Sequence, residues 1–215
     1  MCKKINKNET LAETSEYKNI GYIIHKPENF DSDKKYPMVI LLHGAGWRGN
    51  DVSVLKEYPL FSVGKEYIKN SVVIMPQCFV DTWFDIFEQL KEFLIFAIKN
   101  LYADSKRCYL MGASMGAYAA WQIAMSMPEY FAALVPMCGG GMYWNAHKLI
   151  NMPIHAFHGI EDATVHCDES RKMVDKINQN GGDATLTVLD GVGHNAWDYV
   201  YGNKNLFEWM FKQSL

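Results

Sequence analysis

Short apolar runs alternate with amphipathic stretches along most of the chain. The run MVILLH (Met38–His43) is apolar at almost every position, which is typical of a strand covered on both faces. The segment Phe84–Asn100 instead places its large apolar residues at helical spacing, which predicts an amphipathic helix. Because such segments follow one another to the C-terminus, the sequence predicts an α/β fold whose mostly parallel central sheet has helices on both faces.

The same patterns give bounds for the individual elements. We predict strands at Tyr22–His25, Met38–His43, Ser71–Pro76, Arg107–Ala113, Ala132–Met137, Pro153–Phe157 and Ala184–Leu189. We predict helices at Leu55–Lys69 (interrupted by Pro59 and Gly64), Phe84–Asn100, Met115–Met127, Asp168–Asn180 and Leu206–Lys212. No internal repeat and no linker rich in proline, glycine or serine divides the chain. We therefore expect a polar N-terminal arm over residues 1–16 and a single domain over residues 17–215.

The charge balance argues against a nucleic-acid partner. The 215 residues contain 21 Lys and Arg against 24 Asp and Glu, a net charge of −3, and no block of like charges. A nucleic-acid-binding protein needs a basic face that this composition does not provide. The five cysteines form no CxxC pair and lie partly in apolar runs, so we expect no disulfide framework.

We predict neither a membrane span nor a secretory signal. Residues 108–128 carry no charge and are long enough to resemble a membrane span, but Gly112, Ser114 and Gly116 fit a buried strand, turn and helix better. The N-terminal segment lacks the apolar core of a signal peptide. The chain as it stands is therefore expected in the cytoplasm, or in the periplasm or outside the cell if a leader was removed.

A Gly-x-Ser-x-Gly motif follows the predicted strand Arg107–Ala113 and opens the next helix. It is GASMG at Gly112–Gly116, with Ser114 at its centre. A sharp strand-to-helix turn of this kind raises a hydroxyl above the carboxyl edge of the sheet, and the flanking glycines let strand and helix approach closely. The alternative is a glycine-rich packing turn that carries no chemistry.

A serine nucleophile needs a base, and the base needs an acid that orients it. Asp162 follows the predicted strand Pro153–Phe157, and His194 follows the predicted strand Ala184–Leu189. The order serine, acid, histidine along the chain is the order that this type of fold uses. The three residues are therefore the candidate nucleophile, acid and base.

Other candidates lie close to Asp162 in the sequence. The competing carboxylates are Glu161, Asp168 and Asp190. Asp162 is preferred, because Asp168 is expected to begin a helix and Asp190 precedes a Gly-x-Gly turn. A cluster of metal-ligand types is formed by His155, His158, His166 and Cys167. Its spacing matches no familiar ligand pattern, so we expect no metal there.

Ester hydrolysis also needs hydrogen-bond donors for the oxyanion that develops on the substrate. One is expected from the backbone N–H of Met115, the residue after Ser114. The other is expected from the loop His43–Gly49, whose three glycines let the backbone curl close to the substrate. Ala45 is the first choice for this donor and Gly46 is the second.

Taken together, these motifs resemble the α/β-hydrolase superfamily. The matching segments are, in chain order, HGAGWRGND, PQC, GASMG, MCGGG, HGIED and GVGHNAW. They are most similar to small single-domain esterases of the phospholipase/carboxylesterase and feruloyl-esterase-like group, also classed as predicted peptidases of prolyl-oligopeptidase type. The resemblance implies a nucleophile at Ser114, an acid at Asp162 and a base at His194. We expect no lid domain, because the connections between elements are short.

The resemblance also places several side chains on loops near these three residues. The substrate-binding residues expected on this basis, with Trp47 added, are Trp47, Gln77, Trp83, Trp144 and Trp197. Aromatic side chains around a cleft suit a sugar or a phenolic acid. The alternative is that most of these side chains belong to the core. Trp47 departs from the family pattern, since close relatives usually have an acidic residue there, and we expect Arg48 to lack a carboxylate partner.

We therefore expect a serine hydrolase that cleaves carboxylic esters through an acyl-enzyme on Ser114. Its substrate would be a small-molecule or carbohydrate-linked ester of short-chain, acetylated-sugar or feruloyl type. The chemistry needs no metal and no organic cofactor. Two other interpretations remain open: a small serine peptidase with the same triad, and a hydrolase fold retained as a non-catalytic binding protein. The sequence does not predict the oligomeric state.

Overall fold

An eight-stranded sheet forms the centre of the computed structural model, which describes residues 12–215. In chain order its strands are β1 (Ala12–Tyr17), β2 (Ile20–His25), β3 (Tyr36–Leu42), β4 (Val72–Pro76), β5 (Ala103–Ala113), β6 (Ala133–Met137), β7 (Ile154–Gly159) and β8 (Ala184–Leu189). Their order across the sheet is β1-β2-β4-β3-β5-β6-β7-β8. All neighbours from β4 to β8 pair in parallel, whereas the β1–β2 and β2–β4 pairs are antiparallel. The predicted, mostly parallel sheet is confirmed.

Helices cover both faces of this sheet. The α-helices of the described residues are α1 (Pro59–Val63), α2 (Lys65–Ile68), α3 (Phe87–Asn100), α4 (Met115–Ser126), α5 (Asp168–Gln179), α6 (Ala196–Tyr201) and α7 (Lys204–Met210). Segments of 3₁₀ helix lie at Ala45–Trp47, Val52–Glu57, Pro128–Tyr130 and Tyr143–Leu149. The apolar residues of α3, α4 and α5 pack against one face, and those of α1, α2, α6 and α7 pack against the other. The predicted α/β layering is confirmed as well.

The position of β3 between two helix layers explains why this strand is apolar throughout. Met38, Ile40 and Leu42 belong to the core on one face, and Val39 and Leu41 belong to the core on the other. All five side chains are fully buried. Because successive side chains of a strand point to opposite faces, a strand covered on both faces needs an apolar residue at every position.

The hydrophobic pattern missed the edge strand β1. Residues 12–16 of the expected polar arm belong to this strand, and residues 1–11 lie outside the described residues. Only Ala12 is buried, and the side chains of the next four residues are exposed. Backbone hydrogen bonds to β2 hold such a strand at the edge of the sheet, so its sequence carries no apolar alternation.

The helix predicted from Phe84 begins three residues later, at Phe87. The Asp85 carboxylate accepts hydrogen bonds from the N–H and the hydroxyl of Thr82, both at 2.8 Å, and these bonds close a turn before the helix. The side chain of Phe84 is exposed and stacks on the Phe87 ring. Helix α6 was not predicted, because six residues are too few to show a helical period.

None of the described helices is long and apolar enough to cross a membrane, and the longest, α3, has 14 residues. The uncharged stretch at residues 108–128 is divided between β5 and α4. The cysteines within the described residues are unpaired and buried; they are Cys78, Cys108, Cys138 and Cys167.

Helix α4 begins very close to the ends of β3 and β5, and glycines allow this approach. A Cβ atom on Gly116 would overlap the carbonyl oxygen of Leu42, and one on Gly112 would overlap the carbonyl oxygen of Gly116. The helix N-terminus therefore lies at the carboxyl edge of the sheet, where β3, β5, β7 and β8 all end. In open α/β sheets, binding sites form at this edge.

Replacing Gly116 with alanine should destabilise the protein strongly. The added methyl group would displace either the end of β3 or the start of α4, so we expect Gly116→Ala to lower the free energy of unfolding by about 3 kcal/mol or more. Gly202→Ala is the matched control, because its φ is −88° and its Cβ would meet only ordinary contacts at 3.7 Å and beyond. Urea unfolding measures both. Equal stabilities for the two variants would contradict the close approach.

Candidate active site

Ser114 occupies the turn between β5 and α4 in a strained backbone conformation. Its φ is 53° and its ψ is −118°, values that few residues other than glycine adopt. The Ser114 N–H donates to the carbonyl of Met137 at the end of β6, at 2.8 Å, which anchors the turn. The serine hydroxyl is consequently held above the carboxyl edge of the sheet, where it is partly exposed.

A continuous chain of hydrogen bonds links Ser114, His194 and Asp162. The Ser114 Oγ atom lies 2.8 Å from His194 Nε2, and His194 Nδ1 lies 2.7 Å from Asp162 Oδ2. An ionised carboxylate only accepts hydrogen bonds, so His194 Nδ1 carries the proton. The Nε2 atom of a neutral His194 is then free to accept the hydroxyl proton of Ser114.

Asp162 is buried, with 3% of its surface exposed. Its Oδ1 atom accepts hydrogen bonds from the backbone N–H groups of Thr164 at 2.9 Å and Val165 at 2.8 Å. Burial by itself raises the pKa of this carboxyl, but the bonds from His194, Val165 and Thr164 outweigh it, and the net pKa is lowered. The carboxylate therefore stays ionised at neutral pH.

The competing carboxylates have other surroundings. Glu161 and Asp190 are exposed, and Asp168 begins α5, where it pairs with Arg171 at 3.5 Å. The His194 ring bonds to the Asp162 carboxylate. Of the four acids considered from the sequence, Asp162 is therefore the one in place to orient His194.

The loops that carry Asp162 and His194 are fastened to each other by backbone bonds. The N–H of Ile160 donates to the carbonyl of Leu189, and the N–H of Glu161 donates to the carbonyl of Val192, both at 3.0 Å. A Cβ on Gly159 would overlap the carbonyl oxygens of this second loop. The last residue of β7 must therefore be small for the two loops to meet.

His43 fixes the backbone of the glycine-rich loop that follows β3. This histidine is fully buried; its Nδ1 donates to the Gly44 carbonyl at 2.7 Å, and its Nε2 accepts the N–H of Cys78 at 3.0 Å. The C=O and N–H of one peptide unit point in opposite directions. Holding the Gly44 carbonyl toward the His43 ring therefore turns the Ala45 N–H away from it.

The glycine-rich loop lies directly against Ser114. A Cβ on Gly44 would lie 3.4 Å from the Cβ of Ser114. Ala45 is the first residue of a 3₁₀ turn and Met115 is the first residue of α4, so neither N–H has a partner within its own helix. Both sequence choices for the oxyanion donors thus lie at helix starts next to the serine.

Arg48 is bound by backbone carbonyls. Its Nε donates to the Ala45 carbonyl at 2.9 Å, and its Nη1 donates to the Asp81 carbonyl at 2.7 Å. The guanidinium thereby ties the loop to the segment after β4. Trp47 turns toward the core instead, and its ring lies 5.0 Å from that of Tyr58.

Comparison with known proteins places this constellation in a family. The family model described as "Dienelactone hydrolase family" matches residues 69–197. The chain belongs to the dienelactone hydrolase family. This membership agrees with the α/β-hydrolase resemblance of the sequence motifs, and the matched residues include Ser114, Asp162 and His194.

Individual relatives of this dienelactone hydrolase family member are esterases by name. A "Probable feruloyl esterase C" from Aspergillus terreus (strain NIH 2624 / FGSC A1156) is 26% identical over 174 residues, which cover 78% of this chain and 64% of the relative. A solved "thermostable esterase" superposes with a TM-score of 0.83 at 30% identity over 95% of this chain and 63% of its own. The chain thus spans slightly less than two thirds of each relative.

More distant structures share the fold alone. The acylaminoacyl peptidase of Pyrococcus horikoshii superposes with a TM-score of 0.69 at 13% identity, over 94% of this chain and 41% of the peptidase. At this level of identity the match shows a common architecture of sheet and helices.

The five expected substrate-binding residues of this family member have different surroundings. Trp197 packs edge-on against the His194 ring at 5.3 Å, and Trp144 is 59% exposed on the turn after β6. Trp83 follows β4 and is fully buried, and its indole N–H donates to the His43 carbonyl at 3.0 Å. Gln77 is also buried, and its amide donates to the Trp47 carbonyl at 3.2 Å. Both side chains therefore bind backbone carbonyls of the glycine-rich loop from the protein interior.

The sequence also missed a buried cluster beside the carboxylate. Potential ligand atoms of Cys138, His158 and Asp162 lie within 4.8 Å of one another. The Nε2 atom of His158 lies 2.8 Å from the Val165 carbonyl, which can only accept, so this nitrogen carries a proton and has no lone pair to offer a metal. Burial raises the pKa of the Cys138 thiol to about 11, which keeps it protonated as well. Because His158 Nε2 and the Cys138 thiol both keep their protons, they are poor ligands for a metal ion.

The buried His43 should make stability depend on pH. Burial lowers its pKa to about 4, whereas a histidine in the unfolded chain titrates near 6.5. Between these pH values only the unfolded chain binds a proton at His43, and this binding favours unfolding. The stability that neutral His43 contributes is therefore complete above about pH 6.5 and is lost as the pH falls toward 4.

We expect the free energy of unfolding of the wild type to fall by about 3 kcal/mol more than that of His43→Gln between pH 7 and pH 4. Urea unfolding at a series of pH values measures this difference. Other buried histidines contribute to both proteins alike, so the comparison isolates His43. Parallel curves for the two proteins would show that His43 is not held neutral by the fold.

Proposed function

We propose that this protein is a serine hydrolase that cleaves carboxylic esters through an acyl-enzyme on Ser114. The observation that carries the proposal is the hydrogen-bond chain from Ser114 Oγ through His194 to the buried Asp162 carboxylate. Family membership and the esterase names of two relatives support it. The chain order of the three residues and the strained turn at Ser114 support it further.

The proposed reaction has two acyl-transfer steps. His194 Nε2 takes the hydroxyl proton while Ser114 Oγ attacks the ester carbonyl, and the same proton then passes to the leaving alcohol. Water next attacks the acyl-serine, again losing its proton to His194, and that proton returns to Ser114 as the acid leaves. Asp162 holds the Nδ1–H tautomer throughout and stabilises the cation that forms on His194.

Two backbone donors are proposed for the oxyanion. The N–H of Met115 lies at the start of α4, where the helix dipole also favours negative charge. The N–H of Ala45 lies at the start of the 3₁₀ turn that packs against Ser114. Because His43 and Arg48 hold the carbonyls on either side of Ala45, this donor is fixed before the substrate binds.

The proposed substrates are small-molecule or carbohydrate-linked esters, of short-chain, acetylated-sugar or feruloyl type. The half-buried Trp197 beside His194 offers an aromatic surface at the base of the site. The name of the Aspergillus relative favours the feruloyl type among these. Stacking on an aromatic ring suits a phenolic acid or a sugar face.

Ser114→Ala should abolish ester hydrolysis. Without the hydroxyl no acyl-enzyme forms, and we expect turnover of p-nitrophenyl acetate to fall by about 10⁴-fold or more. Ser126→Ala is the matched control, since Ser126 lies on the exposed side of the same helix. Equal activity of wild type and Ser114→Ala would refute the assignment of the nucleophile.

Wild type and Ser114→Ala also distinguish the esterase from a peptidase and from a non-catalytic binding protein. Covalent labelling of the wild type but not of Ser114→Ala by a fluorophosphonate, with an ester hydrolysed much faster than the matching amide, supports the esterase. Comparable rates on the amide would favour a peptidase. An unlabelled and inactive wild type would indicate a binding protein.

Ala45→Pro should remove one oxyanion donor without unfolding the loop. Proline is accepted at the first position of a helical turn, and Gly44 already has the extended conformation that a following proline requires, with φ −75° and ψ 173°. We expect kcat for p-nitrophenyl acetate to fall by about 10²- to 10³-fold with little change in KM. Ala45→Gly keeps the N–H and should retain activity. Full activity of Ala45→Pro would show that the Ala45 N–H is not the oxyanion donor, and Gly46 would be the next candidate.

A further inference from the structure

His158 is a fully buried histidine that the proposed reaction does not use. It lies near the end of β7, four residues before Asp162. Its Nε2 atom is 2.8 Å from the Val165 carbonyl oxygen and 3.2 Å from Asp162 Oδ2. Its Nδ1 atom is 2.7 Å from the hydroxyl oxygen of Ser170 on α5. Every polar atom of the ring therefore has a partner.

The partners determine where one of the ring protons lies. A carbonyl oxygen only accepts, so the Nε2 atom of His158 must be a donor, and its proton is given to the Val165 carbonyl; Asp162 Oδ2 lies 3.2 Å from the same nitrogen without an aligned hydrogen bond. The hydroxyl of Ser170 has two possible acceptors, His158 Nδ1 and the Gly139 carbonyl at 2.8 Å. Whichever acceptor the hydroxyl uses, the Nε2–H of His158 is still given to the Val165 carbonyl.

We propose that His158 is a positioning residue for the candidate catalytic carboxylate: its Nε2–H holds the carbonyl of Val165, the residue whose N–H binds Asp162 Oδ1, and its ring lies 3.2 Å from Asp162 Oδ2. This inference rests on the proposed serine-hydrolase function. Asp162 accepts hydrogen bonds from His194 on Oδ2 and from two backbone N–H groups on Oδ1, and the His158 ring lies beside Oδ2. The three donors and the adjacent ring hold the carboxylate in the orientation that meets His194.

Both imidazoles lie close to the same oxygen atom, Asp162 Oδ2. The polar N–H group of His158, 3.2 Å away, partly offsets the negative charge of Oδ2, which weakens the attraction of that oxygen for the cationic form of His194. Removing the His158 donor should therefore favour the protonated, inactive His194, and the acid limb of the pH–rate profile should move to higher pH. Loss of one constraint on Asp162 should also lower the plateau rate.

The other titratable groups that face Asp162 are neutral at the pH of the experiment. They are Cys138 at the end of β6, Tyr118 on α4 and Cys167 before α5, and burial raises the pKa of each. Glu169 on α5 faces Tyr118 from the outside and forms an ion pair with Lys172 at 3.1 Å. The charge balance around Asp162 is therefore set mainly by the two histidines.

The test compares four proteins: wild type, His158→Leu, His158→Gln and Ser170→Ala. Leucine removes the donor at similar volume, and glutamine can present a neutral N–H at about the same distance from the backbone. Ser170→Ala removes the partner of Nδ1, together with the contact to the Gly139 carbonyl, and leaves Nε2 unchanged. The measurement is kcat and kcat/KM for p-nitrophenyl acetate from pH 5 to 9, with urea unfolding to check that each variant is folded.

We expect His158→Leu to lower the plateau kcat about tenfold and to shift the acid limb upward by about one pH unit. His158→Gln should restore most of both, and Ser170→Ala should leave the acid limb in place. A lower plateau with an unshifted limb, or a glutamine variant no better than leucine, would show that His158 acts only by packing.

NMR titration of the His194 ring in wild type and His158→Leu gives the same comparison without turnover. We expect the midpoint to move upward by the same amount, and an unchanged midpoint would overturn the proposal. This readout does not need Ser114 to act as a nucleophile. Failure of the serine-hydrolase proposal would appear as activity that is absent or independent of Ser114, and the two failures are thus distinguishable.

Discussion

At the end of β5 the chain must reverse within a few residues while α4 stays in contact with β3. Glycines at positions 112 and 116 permit this contact, because any side chain there would overlap backbone carbonyl oxygens. The reversal leaves Ser114 in a positive-φ conformation that is otherwise unfavourable, and the bond from its N–H to Met137 helps to hold it. The position of the hydroxyl above the sheet edge, and of the Met115 N–H beside it, follows from this packing. Without this packing, Ser114 would not lie beside the loops that follow β3, β7 and β8.

The motif-bearing positions were predictable because their signals are local. A glycine-flanked serine after an apolar run, an aspartate after the run PIHAF and a histidine after ATLTVL each require only strand ends and chain order. The two-sided burial of β3 was predictable for the same reason. Edge strand β1 was not, since its side chains face solvent and its pairing is made by the backbone. The short helix α6 gave too few residues for a period.

The side chains behind the site depend on contacts that no local pattern contains. Trp83 and Gln77 were expected on loops near the site as substrate-binding residues. They are buried because the segment after β4 folds beneath the glycine-rich loop, where their donors meet the carbonyls of His43 and Trp47. His158 was considered only as a metal ligand. Its bonds to Val165 and Ser170 depend on how the chain turns between β7 and α5, and spacing alone does not reveal that turn.

Two His-Gly pairs, at positions 43–44 and 158–159, serve the site in the same way. Each histidine is fully buried with both ring nitrogens bonded, and each holds a backbone carbonyl near the site: His43 holds that of Gly44, and His158 holds that of Val165, whose N–H binds Asp162. Each glycine lets the strand end approach the next loop, Gly44 at Ser114 and Gly159 at the loop that carries His194. An unpaired polar group buried at these points would be costly. The geometry offered to a substrate is thus set largely by residues buried beneath it.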